Sequence, residues 1–268
     1  MKEFLDVTLL ALLQGVAEFL PISSSGHLVV GRHLLGMHGV GMRLDIFLHV
    51  GTLVSIGVFY AKHLATLCTG LFAPGASAEQ RRSAWSFAGK IVLSALPACA
   101  VYFLFHRQVD AMFENAKMVG ALLMFTGLVL SGTRLLPRGN RDVSWLRALW
   151  MGIMQALALL PGVSRSGMTL AAARAGRIDA EAAAEFSFLM SAPMIAGGAF
   201  LDVMKACFGD APPAVGELSW GVVVYGAVVA AVTGYFSLAL LLRALKGKWF
   251  WAFGPYCCVV GLLVFVFC

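Results

Sequence analysis

Three ionisable side chains lie in stretches of the chain that are otherwise apolar. Glu18 follows a run of apolar residues and precedes Pro21, and Gln14 lies one helical turn earlier on the same face. His27 follows Ser-Ser-Ser-Gly, and Arg165 lies between two serines. Because charge inside a membrane is unfavourable, such groups are candidates for function. The structural alternative is a buried Glu18–Arg165 ion pair that only fixes packing, and it leaves the neighbouring serines unexplained.

Together, these residue types could supply the active-site groups of a phosphohydrolase. The planar fork of arginine matches a phosphate group, and Gly/Ser-rich loops at helix N-termini present backbone N–H groups to an anion. A hydroxyl nucleophile with His and Glu as acid and base completes the set. Since a soluble phosphate needs no site in a membrane, we expect a phosphorylated lipid as substrate. The candidate catalytic residues are Glu18, Ser24, His27 and Arg165, and the candidate binding residues are Gln14, Ser23, Ser25, Gly26, Gly162, Ser164, Ser166, Gly167 and Thr169.

These residues lie where two apolar stretches are interrupted. Phe4–Leu20 is followed by Pro21 and the serines, and Trp145–Leu160 is followed by Pro-Gly and Ser-Arg-Ser-Gly. An interruption that faces lipid would leave backbone groups unsatisfied at mid-membrane depth. Each break must therefore be buried in protein or line a wet cavity. We predict two re-entrant helix–loop–helix hairpins.

The two interrupted stretches are similar to each other. QGVAEFLPISSSG begins at Gln14 and QALALLPGVSRSG begins at Gln155, a shift of 141 residues. Chance similarity of apolar segments is the alternative, but the polar positions match as well as the apolar ones. Three spanning helices follow each hairpin, and an odd number per repeat inverts the second copy. We predict inverted repeats over about 1–136 and 142–268, within one integral membrane domain.

The composition agrees with a membrane protein. Of 268 residues, 60% are apolar and only 13% are charged, and the mean hydropathy is +0.84. An average soluble domain is about 25% charged, so a soluble enzyme, a disordered chain and a nucleic-acid binder are all disfavoured. We predict an all-α polytopic membrane protein in which each half has one re-entrant hairpin and three transmembrane helices. The predicted spans are Asp45–Tyr60, Ala88–Phe105, Met118–Leu136, Phe186–Met204, Val222–Leu242 and Trp249–Phe267.

The net charge of +6 is distributed unevenly between the two membrane faces. Thirteen Lys and Arg residues lie on the face opposite the opening of the first hairpin, and six lie on the face where that hairpin opens. Cytoplasmic loops carry the excess of Lys and Arg. We therefore expect the hairpin opening and both termini to lie outside the cytoplasm.

Four motifs carry a family resemblance. An (E/Q)xxxE pattern followed by P-x-S-S-(S/T)-(G/A)-H spans Gln14–His27, and PGxSRSxxT spans Pro161–Thr169. D-x-x-L-H-x-G-T spans Asp45–Thr52, and EFSFL-x-x-x-P spans Glu185–Pro193. In these motifs, and over essentially its whole length, the chain resembles the undecaprenyl pyrophosphate phosphatases, the bacitracin-resistance membrane family.

Two positions depart from the family pattern. The first motif begins with Gln14 rather than Glu, a variant the family allows, and this leaves one carboxylate rather than two for any metal site. Near the C-terminus, Cys257 follows Tyr256 where the family usually has Arg.

The resemblance implies a reaction and a location. The substrate would be undecaprenyl pyrophosphate, which loses its terminal phosphate and returns as the monophosphate carrier for peptidoglycan synthesis. The family implies a divalent cation (Mg²⁺ or Ca²⁺), for which Glu18 is the candidate ligand, and a site open to the outer face of the bacterial plasma membrane. The implied partners are this substrate and membrane lipid, with no nucleic acid, and a homodimer is an open alternative.

The roles within the site allow several versions. Ser24 or a neighbouring serine would attack the terminal phosphorus, while Arg165 would hold the pyrophosphate. Glu18 would act as general base or hold the cation. His27 would protonate the leaving phosphate, orient the nucleophile, or itself be the nucleophile.

Two rival classes share some of these features. A polyprenyl-phosphate transporter or flippase would use the same inverted repeats and anion cradle, but it has no need of the His/Ser/Glu set. The type-2 phosphatidic-acid phosphatases also have S-G-H and S-R motifs. Their K-x6-R-P motif is missing here, and Ala171 stands where their second His would follow Arg165.

Overall fold

The computed structural model describes residues 2–37, 42–113, 115–208 and 218–267. These residues are almost entirely α-helical, and their β-structure is limited to one isolated bridge between Arg141 and Ile178. The predicted all-α fold is confirmed. The first half contains α1 (Lys2–Ala17), α2 (Ser24–Leu35), α3 (Met42–Phe59), α4 (Ala61–Phe72), α5 (Ala78–Phe113) and α6 (Ala116–Gly132), and the second half contains α7 (Trp145–Leu157), α8 (Arg165–Ala175), α9 (Ala180–Phe208), α10 (Trp220–Lys246) and α11 (Phe253–Phe267).

Five helices in the described part of the chain are long and apolar enough to cross a membrane: α5, α6, α9, α10 and α11. A sixth span results if α3 and α4, which meet at an angle of 77°, are taken together. The chain is therefore a multi-pass membrane protein. Two helices begin well before their predicted spans, since α5 begins at Ala78 rather than Ala88 and α9 at Ala180 rather than Phe186. These extensions carry charged residues, which a search for apolar runs leaves out.

Both helix breaks lie where the sequence predicts them. α1 ends at Ala17 and α2 begins at Ser24, while α7 ends at Leu157 and α8 begins at Arg165. With 12 and 11 residues, α2 and α8 are about 18 and 16 Å long, well short of the ~30 Å hydrocarbon core. Their lengths support the re-entrant hairpins.

Packing between the two halves supports the repeat hypothesis. α1 packs on α10 of the second half, and α7 packs on α5 of the first half. The equivalent helices α3 and α9 contact each other, as do α6 and α11. An inverted repeat with a two-fold axis in the membrane plane would produce this reciprocal arrangement. The inversion itself and the repeat boundaries stay predictions.

Close helix contacts in the bundle are made through glycine. A Cβ added at Gly120 of α6 would lie 2.7 Å from the carbonyl oxygen of Gly261 in α11. Two turns further along α6, a Cβ at Gly127 would lie 2.7 Å from the carbonyl oxygen of Gly254. Small residues allow membrane helices to approach until their backbones touch. This contact fixes α6, which in turn supports the loop of the second hairpin.

An aromatic contact holds the first break against the second half. The fully buried rings of Phe19 and Phe188 pack edge to face, with centroids 5.5 Å apart. Phe19 directly follows Glu18, so this contact fixes the turn that carries the carboxylate.

Candidate active site

Each hairpin loop is capped by a serine in the same way. Ser23 caps α2 and its hydroxyl accepts the N–H of Gly26 at 3.4 Å, while Ser164 caps α8 and accepts the N–H of Gly167 at 3.1 Å. Ser, Thr, Asp and Asn are the preferred N-cap residues because their side chains satisfy these first N–H groups. The hydroxyl of each capping serine also lies 3.3 Å from that of the serine two residues later. The two loops thus share the same side-chain caps, although Ser23 has a φ of +69° and Ser164 a φ of −78°.

The two capped loops contact each other. The hydroxyl of Ser166 donates to the carbonyl oxygen of Leu20 at 3.2 Å. A Cβ added at Gly26 would lie 3.5 Å from the Cα of Gly162, which is ordinary van der Waals contact. The N-termini of α2 and α8 therefore open into one region, where the first backbone N–H groups of both helices lack acceptors within their own helix.

Gly162 and Thr126 shape the second loop. Gly162 has φ of +91°, and a Cβ there would lie 2.3 Å from the carbonyl oxygen of Val119, so the position requires glycine. The hydroxyl of Thr126 in α6 donates to the carbonyl of Gly162 and accepts from the N–H of Ser164, both at 3.1 Å. α6 thus holds the loop that ends at Arg165.

Glu18 is the centre of the polar network between the hairpins. It is 7% exposed, and its Oε1 accepts from Nη2 of Arg165 at 2.5 Å. Its Oε2 accepts from the hydroxyl of Ser24 at 2.8 Å and from the amide Nε2 of Gln14 at 3.1 Å. Nε2 of His49 lies 3.9 Å from the same oxygen. One carboxylate therefore joins an arginine of the second hairpin to a serine hydroxyl of the first.

His27 faces away from this network. Its Nδ1 lies 2.9 Å from the carbonyl oxygen of Ser23, and its Nε2 lies 2.8 Å from the hydroxyl of Tyr256 in α11. Because a carbonyl only accepts, Nδ1 carries a proton, and Nε2 is bonded to a hydroxyl that can donate or accept. This histidine supports the back of the serine loop.

A cavity of about 320 Å³ opens over the network. Six of the predicted site residues line it: Glu18, Ser23, Ser24, Ser25, Ser164 and Arg165. Apolar side chains, among them Ile46, Phe113, Met194 and Ile195, form another part of its wall. A cavity with a polar, charged region and an apolar wall suits a ligand with a charged head and a hydrocarbon chain.

The other predicted site residues lie behind the cavity wall rather than in it. Gln14, Gly26, His27, Gly162, Ser166, Gly167 and Thr169 are not among its lining residues. Gln14 bonds Glu18. The hydroxyl of Thr169 donates to the carbonyl of Arg165 and accepts from the hydroxyl of Ser187 in α9 at 2.7 Å. In the structure these residues hold the lining residues in place.

Sequence reasoning assigned no role to two residues that line the cavity. His49 is in the D-x-x-L-H-x-G-T motif, and this motif was the signal that could have found it. Gln155 is the repeat counterpart of Gln14, yet both of its amide atoms lack a partner among the described residues, and the side chain is 3% exposed. Buried polar groups are usually bonded, so an unpaired amide at a cavity wall indicates a position for a ligand.

Among the residues that line the cavity, Glu18 is the one carboxylate that could bind a divalent cation. The described residues contain no group of three His, Cys, Asp or Glu side chains placed to hold a metal ion. Mg²⁺ in phosphate-transfer sites commonly uses one or two carboxylates with substrate phosphates and water. Glu18 fits that pattern as the single protein ligand beside a bound pyrophosphate.

The model of the family described as bacitracin resistance protein BacA matches residues 7–263. This chain belongs to the BacA family. Among its curated relatives, the undecaprenyl-diphosphatase of Desulfatibacillum aliphaticivorans is 38% identical and that of Desulfosudis oleivorans 37%, with 98% and 94% of both chains covered. The undecaprenyl-diphosphatase of Methanosphaera stadtmanae is 32% identical over 99% of this chain and 98% of the relative.

Proposed function

We propose that this chain is an undecaprenyl-diphosphatase, which releases the terminal phosphate of undecaprenyl pyrophosphate and leaves undecaprenyl phosphate. The observation that carries this proposal is the contact of Glu18 with both Arg165 and the hydroxyl of Ser24 at the wall of a half-apolar cavity. Relatives covered over nearly their full length bear that name.

Arg165 and the two helix N-termini would hold the pyrophosphate. One guanidinium nitrogen of Arg165, Nη2, is bonded to Glu18, while Nη1 is buried without a partner among the described residues. A phosphate oxygen would accept from that nitrogen and from the free backbone N–H groups that open α2 and α8. The amide of Gln155 would donate from the cavity wall. These donors would also stabilise the charge that moves during transfer.

Ser24 is the nucleophile that the geometry favours. Its hydroxyl already donates to Oε2 of Glu18, so the carboxylate would take the proton as the oxygen attacks the terminal phosphorus. The bond to the bridging oxygen would break, undecaprenyl phosphate would leave, and Ser24 would carry the phosphoryl group. After Glu18 has released that proton to solvent, water would attack the phosphoserine, lose a proton to Glu18 and displace the Ser24 oxygen, and Glu18 would return the proton to this oxygen as phosphate leaves.

The two histidines would have different roles. His27 is bonded through both ring nitrogens behind the serine loop, which supports a positioning role rather than a nucleophilic one. His49 lines the cavity near Glu18, where it can supply a proton to the leaving phosphate.

A divalent cation is part of the proposal through Glu18. When bound, it would neutralise the charge of the pyrophosphate oxygens. Glu18 would be its ligand from the protein, and this use competes with the contact between Glu18 and Arg165. Gln14 donates to Oε2 of Glu18, so Oε1 would be available either to the cation or to Arg165.

The distribution of charge supports a site that opens to the outer face. In the predicted topology, thirteen of the 20 Lys and Arg residues lie on the opposite face, which the positive-inside tendency assigns to the cytoplasm. Both termini would then lie outside, and the prenyl chain would leave past the apolar wall of the cavity into the bilayer. The homodimer stays a prediction.

Phosphate release in detergent tests the proposal, because no membrane there separates two compartments. The wild type is expected to release phosphate from undecaprenyl pyrophosphate, and Glu18→Ala and Arg165→Ala are expected to release almost none. Glu181→Ala, at an exposed position outside the cavity, is the matched control. A wild type without activity on this substrate would contradict the proposal.

A further inference from the structure

A second cavity, of about 370 Å³, lies at the other end of α6 from the candidate active site. Thr133, which follows α6, lines this cavity, whereas Phe113, which precedes α6, lines the active-site cavity. The 17 residues of α6 span about 26 Å, so the two cavities lie near opposite faces of the membrane. The function proposed above makes no use of this second cavity.

Four cationic side chains and no carboxylate line it: Arg134, Arg138, Arg174 and Lys248. They come from three parts of the chain, namely the segment after α6, the end of α8 and the segment after α10. Cations collected from separate elements repel one another unless an anion lies between them. Asp179 lines an adjoining cavity together with Arg138 and Arg174, and it accepts from backbone N–H groups of α9, while Glu181 pairs with Lys246.

The contacts these cations make with the protein leave their charge uncompensated. Nε and Nη2 of Arg174 both donate to the carbonyl oxygen of Leu136, at 3.3 and 3.1 Å. Arg138 donates to the carbonyl of Lys246, and the guanidinium of Arg134 lies 4.6 Å from the centre of the Trp251 ring. These bonds orient the three guanidinium groups without neutralising them.

The rest of the cavity wall is apolar and carries an interfacial aromatic residue. Leu245 and Phe250 are buried there, and Trp251 is partly buried beneath Arg134. Tryptophan favours the depth at which lipid headgroups meet the hydrocarbon region. Cations above an apolar wall at this depth match a phosphate head joined to acyl chains.

We propose that this cavity binds the phosphate of an anionic phospholipid such as phosphatidylglycerol on the face that carries the excess of Lys and Arg. The positive-inside tendency accounts for cations on that face. It does not account for four of them around one cavity that lacks a carboxylate. A free phosphate ion offers the same charged group but makes no use of Leu245 and Phe250, so we assign the lipid.

Native mass spectrometry of the purified full chain, titrated with phosphatidylglycerol or phosphatidylcholine in detergent, tests the assignment. The test variant is Arg134→Gln with Lys248→Gln, and the control is Lys62→Gln with Arg243→Gln. The control removes the same charge from exposed residues outside the cavity on the same face. Wild type and control are expected to prefer phosphatidylglycerol. Binding by the test variant is expected to be about thirtyfold weaker, since each cation near a membrane surface contributes about fivefold.

Several results would overturn the assignment. One is equal weakening in the test and control variants, and another is equal binding of the two lipids by the wild type. A third is displacement of phosphatidylglycerol by millimolar inorganic phosphate, which would indicate a free-ion site. If the double variant is not monodisperse, Lys248→Gln alone replaces it, because this side chain makes no hydrogen bond or ion pair with the described residues. The single variant is expected to weaken binding about fivefold.

Discussion

Arg165 donates to Oε1 of Glu18 at 2.5 Å while Ser24 donates to Oε2 of the same carboxylate at 2.8 Å. The arginine begins α8 and the serine begins α2, so the carboxylate joins the N-termini of two helices from different halves of the chain. A buried ion pair contributes little net stability by itself. Its value here lies in the placement of a phosphate-binding group beside a hydroxyl that can lose a proton.

Replacement of Glu18 by Gln should lower kcat by about 10²- to 10⁴-fold, because the amide cannot take a proton from Ser24. The amide keeps the shape of the side chain, so the variant should purify as a folded protein. Phosphate release at saturating substrate measures the effect. Glu181→Gln is the control, since Glu181 pairs with Lys246 away from the cavity, and it should stay within twofold of the wild type. Comparable losses in both variants would contradict the role of Glu18 as the general base.

Arg165→Lys should lose at least about 100-fold in kcat/KM. A lysine is a point charge, and it cannot donate to Glu18 and to a phosphate oxygen in the fork geometry that guanidinium provides. Arg243→Lys, at an exposed residue of α10, should be unchanged. An Arg165→Lys enzyme with most of its activity would contradict the assigned role.

The two glutamines of the repeat should respond differently. Gln155→Leu removes an amide that has no partner in the protein, so thermal stability should be retained while KM rises about tenfold. Gln14→Leu removes a donor to Glu18, so kcat should fall with little change in KM. Steady-state kinetics on both variants measure the split. The reverse pattern would mean that Gln14, and not Gln155, contacts the substrate.

Tyr256→Phe distinguishes a positioning histidine from a reacting one. The variant removes the hydroxyl that bonds Nε2 of His27 and leaves the bond from Nδ1 to the carbonyl of Ser23 intact. We expect activity within about fivefold of the wild type, since a neutral hydrogen bond contributes about 1 kcal/mol. A loss of 100-fold or more, with a changed pH profile, would instead indicate that His27 takes part in proton transfer.

Gly162→Ala tests the shape of the second loop. The new Cβ would lie 2.3 Å from the carbonyl oxygen of Val119, and alanine disfavours φ of +91°. We expect a lower thermal transition temperature and a loss of activity of at least tenfold. Gly57→Ala, where a Cβ meets no atom within 4 Å, should keep both properties. Equal tolerance at both glycines would mean that the loop adjusts without consequence.

The local features of the site could be predicted from the sequence. Pro21 and Pro161 end their helices, and the serine-rich segments after them start new ones, because both effects depend only on neighbouring residues. The isolated charges of Glu18 and Arg165 identified the centre of the site, since an ionisable group in an apolar stretch needs a partner.

Features that depend on distant contacts could not be predicted in this way. His27 does not line the cavity because its ring is hydrogen-bonded to the hydroxyl of Tyr256, which lies 229 residues later in the chain. His49 and Gln155 line the cavity because of the rotation of α3 and α7, which packing against other helices fixes. The sequence did not predict α4 either, because its 12 residues are too few to form a spanning segment of their own.

The chemical identity of the phosphoenzyme tests the central claim most directly. Wild-type protein would be mixed with undecaprenyl pyrophosphate labelled on its terminal phosphate, quenched within one turnover, and mapped by mass spectrometry under both acidic and alkaline conditions. We predict an acid-stable label on Ser24 that is absent in Ser24→Ala. An alkali-stable, acid-labile label on His27 or His49, or phosphate release with no labelled enzyme at any time, would contradict the mechanism.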